Sequence, residues 1–305
     1  MKVGLVQIDG SMPNLALMKL SAYYKTRGSE VLPLGRIVGA DLVFASCIFM
    51  KNAEKAKLIA DQYGAELGGT GVSTAKNLPD YIESRRPDYE IYDINYGMGF
   101  LTRGCIRCCP FCVVPIKEGL LKPVASIESL INPRSNRLVL LDNNLLAYEG
   151  HLDILQELSD RKLRVCFTQG LDIRLLTPKN SAALAKVRFA NTKFNRRQLY
   201  FAFDSMAMEP ALRNGVAMLK EVGIRPGSLM IYMLCGYNTT RDEDWHRFNV
   251  ITALGADPFV MLYQGSGEEL HHWARWVNRR IYKSDKWENY SRYNPPIGQI
   301  ALVNK

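Results

Sequence analysis

Histidine is scarce in this chain, four in 305 residues, and long apolar runs are missing. No stretch approaches the ~20 apolar residues that a membrane-spanning helix requires. The opening Met1–Ile8 is basic and then apolar, but Asp9 and Gly10 end it too soon for a signal peptide. Cys47, Cys166 and Cys235 stand singly, so the second ligand pair of a zinc ribbon is missing. Seven cysteines is an odd number and nothing in the sequence suggests a secreted chain, which argues against a disulfide framework. The expectation is a cytoplasmic protein with free thiols and no membrane association. His151, His246 and the adjacent His271-His272 share no metal-ligand spacing. Internal repeats and low-complexity segments are also missing.

Acidic residues are in deficit: 30 Asp and Glu against 39 Lys and Arg, a net charge of +9. Such a balance suits polyanionic partners, whether nucleic acid, phosphorylated metabolites or an acidic protein. A solvated basic surface is the plainer account, and both stay open. Hydrophobic residues make up 47% of the chain, enough for a sizeable core.

Lys2–Ile8, Glu30–Leu34 and Asp41–Phe49 read as strands, with helices after Asn14 and over Lys51–Tyr63. Alternation of this kind predicts a small parallel α/β domain over residues 1–92. Ligands in such domains sit at the carboxyl ends of strands, here near Asp9-Gly10, Ser46 and the Gly68–Ser73 turn. Pro79–Tyr92 is polar and proline-bearing and reads as a linker. Six further strand-like runs follow: Tyr96–Leu101, Arg137–Leu141, Arg164–Thr168, Leu199–Phe203, Met230–Leu234 and Phe259–Tyr263. Their spacing suits βα units, predicting a partial (βα)6 barrel over 93–268. Residues 269–305 form a basic, aromatic extension. Its Trp, Tyr and Arg residues either cover the barrel or grip a polyanion.

The most informative stretch is Thr102–Pro115, TRGCIRCCPFCVVP. Cys105, Cys109 and Cys112 are spaced C-x3-C-x2-C, with Cys108 inside the run. Structural zinc and ordinary iron–sulfur clusters take four protein ligands. Three thiolates on one loop suit a cluster that leaves one metal open to bind something else. This run resembles the cluster loop of the radical S-adenosylmethionine (SAM) superfamily, including the aromatic Phe111 before the last cysteine. The leading Thr-Arg-Gly-Cys resembles the branch that contains methylthiotransferases and enzymes with a cobalamin-binding domain. Under this resemblance Cys105, Cys109 and Cys112 hold a 4Fe–4S cluster, SAM chelates the open iron, Phe111 lies near adenine, and Cys108 is a bystander. A one-electron donor of flavodoxin or ferredoxin type reduces the cluster. SAM then yields a 5′-deoxyadenosyl radical that takes hydrogen from substrate. The N-terminal α/β domain is similar to a cobalamin-binding domain in architecture. Its Asp9-Gly10-Ser11-Met12-Pro13-Asn14 lacks the histidine of Asp-x-His-x-x-Gly, so loss of cobalamin is expected.

Candidate site residues stand at the strand ends, where βα folds place reacting groups. Asp142, Asn143 and Asn144 follow the second core strand and, by resemblance, contact the SAM amino group. Gln169, Asp172 and Arg174 follow the third; Asp172 and Arg174 are candidate catalytic groups, a clamp for carboxylate or phosphate, unless they only pair with each other. Asp204 and Ser205 follow the fourth and by resemblance face the SAM ribose or carboxylate. Tyr263, after the sixth, is a candidate for adenine or substrate. The acidic start Asp242–Asp244 is explained by helix capping. The expected function is a radical SAM enzyme on an anionic substrate, a nucleotide or nucleic acid among the options. The alternatives are a cobalamin-dependent radical methyltransferase and a non-catalytic zinc protein that binds nucleic acid.

Overall fold

Lys2–Gln7 forms strand β1, with Val3, Gly4 and Leu5 buried in succession. A continuous apolar run of this kind suits a strand covered on both faces of a parallel sheet. The computed structural model describes residues 1–293, which fall into two units. The first comprises Met1–Tyr148 with Asp160–Val165; the second comprises Glu149–Ser159 and the chain from Cys166 onward.

In the first unit, Asn14 caps helix α1 (Leu15–Lys25) by accepting from Leu17 N. Strands β2 (Glu30–Val31) and β3 (Leu42–Ser46), helix α2 (Ala53–Tyr63) and strand β4 (Glu66–Gly68) follow. Gly64 ends α2 in the left-handed conformation. The sheet is parallel, in the order β2-β1-β3-β4. Its core joins Val3, Leu5, Leu17, Leu20 and Phe44 to Ile82.

Ile82 lies in the stretch expected to be a linker. Instead, Asp80–Glu83 is a helical turn, α3, and the segment is tied to α1. Lys19 donates to Glu83, Ser21 donates to Asp88, and Lys25 pairs with Asp88. Polar composition concealed two apolar anchors, Ile82 and Tyr89, both about 5% exposed. Beyond it come β5 (Gly97–Gly99), β6 (Thr102–Arg103), α4 (Val114–Lys117), β7 (Lys122–Pro123), α5 (Ile127–Leu130) and β8 (Arg137–Leu140). Strand β5 pairs in parallel with β8, while β6 and β7 form a two-residue antiparallel ladder.

Helix α6 (His151–Asp160) and strand β9 (Arg164–Phe167) each have residues in both units. The second unit continues with α7 (Pro178–Lys186), β10 (Arg188–Phe189), β11 (Leu199–Ala202), α8 (Glu209–Glu221), β12 (Leu229–Cys235), α9 (Arg241–Ala253) and β13 (Asp257–Leu262). Strands β11, β12 and β13 make a parallel sheet in that order. The chain is therefore α/β with several parallel sheets. The six core strands do not all pair into one sheet.

Helices α10 (Glu268–Asn278) and α11 (Trp287–Tyr293) close the described chain. Trp273 and Trp276 are buried, and Trp245, Trp273, Trp276 and Trp287 pack together with Phe248. The extension's tryptophans thus serve packing. Residues 294–305, the rest of the expected extension, lie outside the described residues. Among the described residues, no helix is long and apolar enough to cross a membrane.

Candidate functional site

Cys105 follows β6, and the loop carrying the other cysteines returns through α4 to β7. Gly104 makes the crossing possible. Its φ is +87°, and a Cβ there would stand 2.3 Å from the Leu120 carbonyl oxygen. Cys105, Cys109 and Cys112 are half-buried, whereas Cys108 is exposed. Two N–H groups point at Cys105 Sγ: Arg107 N at 3.3 Å and Asn144 Nδ2 at 3.5 Å. Phe111 is half-buried beside Cys112 in the sequence.

The turn after β8 binds this loop at successive positions. Asp142 accepts from Leu101 N at 3.2 Å, from Thr102 N at 2.6 Å and from Thr102 Oγ1 at 2.7 Å. Asn143 Oδ1 accepts from Gly104 N at 3.1 Å. Asn144 is the donor to Cys105. The three residues expected at the SAM amino group therefore bind the cysteine loop itself. Asp142 is 5% exposed. Burial pushes its carboxyl up to about 6, held there against the three hydrogen bonds it accepts. From the other side, Arg103 makes two bonds to Glu118 and one to Glu83, which also takes Lys19. This chain of charges ties the loop to α1 and α3.

In the second unit, Asp172 and Arg174 pair with each other through two bonds, 2.7 and 3.0 Å, and Asp172 also accepts from Arg174 N. This is the self-pairing that the sequence left open. Gln169 and Ser205 are exposed. Asp204 accepts from Leu234 N at 2.9 Å, and burial raises its carboxyl above the usual range; Arg247 and Arg174 draw it down and Asp172 pushes it up. Tyr263 meets Tyr237 edge-on at 4.7 Å. Arg247, fully buried, donates to the carbonyls of Phe203 and Leu234 and to Asp244. It locks the carboxyl ends of β11 and β12. Glu243 does form a capping box with Thr240, but Asp244 belongs to this buried pair.

A cavity of about 530 Å³ opens at the carboxyl end of β1, lined by Gln7–Pro13, Leu34, Tyr92, Ile94 and Tyr96. Asp9, part of this lining, accepts from Ile48 N, Phe49 N and Asn52 Nδ2. Those bonds hold its carboxyl below the usual range despite the cost of burial. Gly69 in the glycine-rich turn packs on Cys47, whose oxygen a Cβ would meet at 2.2 Å. The glycine serves the turn. With no histidine after β1 and Asp9 committed to the β3–α2 connection, these residues do not fit a cobalamin lower ligand.

Sequence reasoning missed Thr102, Gly104, Glu83 and Arg247 as supports. Thr102 and Gly104 stood within the quoted motif, so the motif's flanks carried the signal; Glu83 and Arg247 gave none. Among the described residues, no three His, Cys, Asp or Glu side chains gather closely enough to hold a metal ion. The donor set of the loop nonetheless suits an iron–sulfur cluster in kind: three half-buried thiols, with N–H groups aimed at the first. No protein-family model matches the chain, and no curated protein matches it.

Proposed function

We propose that the chain is a radical SAM enzyme with a partial-barrel core, in which Cys105, Cys109 and Cys112 hold a 4Fe–4S cluster. The observation that carries this reading is the cysteine loop: three half-buried thiols and an exposed Cys108, fastened by Asp142, Asn143 and Asn144. When bound, cluster and SAM together supply one-electron chemistry that ends in hydrogen abstraction from substrate. The protein's own contribution is support. Arg107 N and Asn144 Nδ2 donate to the Cys105 sulfur, which orients it for its ligand role. Asp142 fixes the entry of the loop. An external donor of flavodoxin or ferredoxin type supplies the electron, and the substrate is anionic. Cobalamin has no part in this reading.

The first test is anaerobic reconstitution with ferrous iron and sulfide, followed by iron and acid-labile sulfide analysis. About four irons per chain are expected, retained in Cys108→Ala and lost in the Cys105, Cys109 and Cys112 alanine variants. Zinc held in place of iron, with no sulfide taken up, contradicts the proposal and favours the non-catalytic zinc reading.

A further inference from the structure

The net charge of +9 has a place in the fold. Between Asp172 and Asp204 lie thirty-one residues without a carboxylate side chain, and they carry seven cations: Arg174, Lys179, Lys186, Arg188, Lys193, Arg196 and Arg197. Arg174 is spent on Asp172. The others are exposed. Among the described residues, no carboxylate pairs with Lys193, Arg196 or Arg197. By contrast, two basic residues of the C-terminal extension, Arg280 and Lys283, both pair with Asp257.

The densest part of this run is the connection between β10 and β11, and it is built to hold its shape. Asn191 Oδ1 accepts from Asn195 N at 3.1 Å, while its Nδ2 donates to Asn195 Oδ1 at 2.8 Å. Phe194 takes a left-handed φ of +56° and is buried beneath the loop. Arg196 donates to the buried Gln198 at 2.8 Å, which also receives the Tyr200 hydroxyl. The Arg197 guanidinium lies 4.3 Å from the Phe189 ring centroid, stacked against β10. A merely solvated charge run needs no such bracing. Here two arginines are pre-oriented by protein groups that leave their charge uncancelled.

We propose that this β10–β11 loop, with Lys193, Arg196 and Arg197 at its centre, binds the phosphate backbone of a nucleic acid. Successive phosphates match closely spaced, unpaired guanidinium and ammonium groups on a rigid loop. No exposed aromatic side chain stands in the loop, so the contact is to phosphate rather than to stacked bases. This inference names the substrate class of the proposed enzyme, but the binding itself needs no cluster. Failure of cluster assembly and failure of binding are therefore seen separately.

The test is a salt titration of binding by the full chain, using fluorescein-labelled 30-nucleotide single-stranded RNA, single-stranded DNA and duplex DNA. The triple variant Lys193→Ala/Arg196→Ala/Arg197→Ala is expected to bind at least tenfold more weakly at moderate salt. Its log K against log salt slope should fall in magnitude by about 2 for single strands or about 3 for a duplex, as three phosphate contacts are lost. Thermal unfolding of the variant should change only slightly: the Arg196–Gln198 bond and the Arg197–Phe189 contact are lost, but the Asn191–Asn195 bonds and buried Phe194 still hold the loop and Gln198 keeps the Tyr200 hydroxyl. The control pair Arg275→Ala/Arg279→Ala, exposed on α10 and at its C-cap, should change affinity less than twofold. The strongest-binding oligonucleotide identifies the class of nucleic acid. If no oligonucleotide binds, or if the α10 pair carries the loss and the loop triple does not, the proposal is overturned.

Discussion

Asp142 shows how much one side chain can decide. It accepts three hydrogen bonds from Leu101 and Thr102, yet its folded carboxyl titrates near 6, above its ordinary value of 3.8. A carboxyl whose folded pKa is raised favours the native state while protonated. Its contribution is fully present below about pH 4 and is lost as pH rises to 6, a span on the order of 3 kcal/mol. Urea denaturation at a series of pH values should show this slope in the parent and its loss in Asp142→Asn. Equal slopes in the two proteins would contradict the assignment. Arg247 is the second such residue. Arg247→Met leaves Asp244 buried without its partner and should cost about 3–5 kcal/mol, read as a lower urea midpoint. A loss under ~1 kcal/mol would mean that the pair is not what holds β11 and β12 together.

At the scale of elements, the hairpin of β6 and β7 is the critical piece, because it carries the cysteine loop. Gly104→Ala forces a side chain into the left-handed region and against Leu120. It should destabilise the hairpin by at least about 2 kcal/mol. Titration with a thiol reagent gives a direct readout. In the metal-free parent, exposed Cys108 reacts first and Cys105, Cys109 and Cys112 follow slowly; in Gly104→Ala all four should react at similar rates. An unchanged order would show that the hairpin does not need the glycine. Legibility in the sequence follows the same division of scale. Elements with a long apolar signal were readable: β12 alternates buried and half-buried residues over seven positions, and α8 spans Glu209–Glu221 as its pattern requires. Most elements of two or three residues were not, although Glu30–Val31 and Gly97–Gly99 fell within the expected runs Glu30–Leu34 and Tyr96–Leu101. Thr102–Arg103 and Lys122–Pro123 are too short for any periodicity, and Glu66–Gly68 merges with the turn after it. The stretch Pro79–Tyr92 looked polar because its anchoring is ionic on one side and needs only Ile82 and Tyr89 on the other. The cysteines were legible as four thiols on one short loop. Asp142, Asn143 and Asn144 were legible as candidates from their place after a strand, though their composition is that of any strand-ending turn; their bonds to the cysteine loop were not, and Arg247 looks like one more helix-surface cation.

At the scale of the whole molecule, the excess positive charge and the thiol loop are two separate investments. The aromatic-rich C-terminal stretch, which by composition suited a nucleic-acid grip, spends its tryptophans on packing and two of its basic residues on Asp257. Three exposed cations that pair with no carboxylate among the described residues, Lys193, Arg196 and Arg197, gather instead in the β10–β11 loop. The loop of cysteines lies in the first unit, with its supports in the same unit, from Lys19 to Asn144. We propose that this loop is the ligand set of a cluster that activates SAM. The measurement that tests it most directly is anaerobic. The reconstituted, reduced protein is incubated with SAM, and 5′-deoxyadenosine and methionine are quantified by mass, with Cys112→Ala and Cys108→Ala alongside. The account predicts both products in equal amounts from the parent and from Cys108→Ala, and neither from Cys112→Ala. Intact SAM in every sample, from protein carrying its full complement of iron and sulfide, would contradict it.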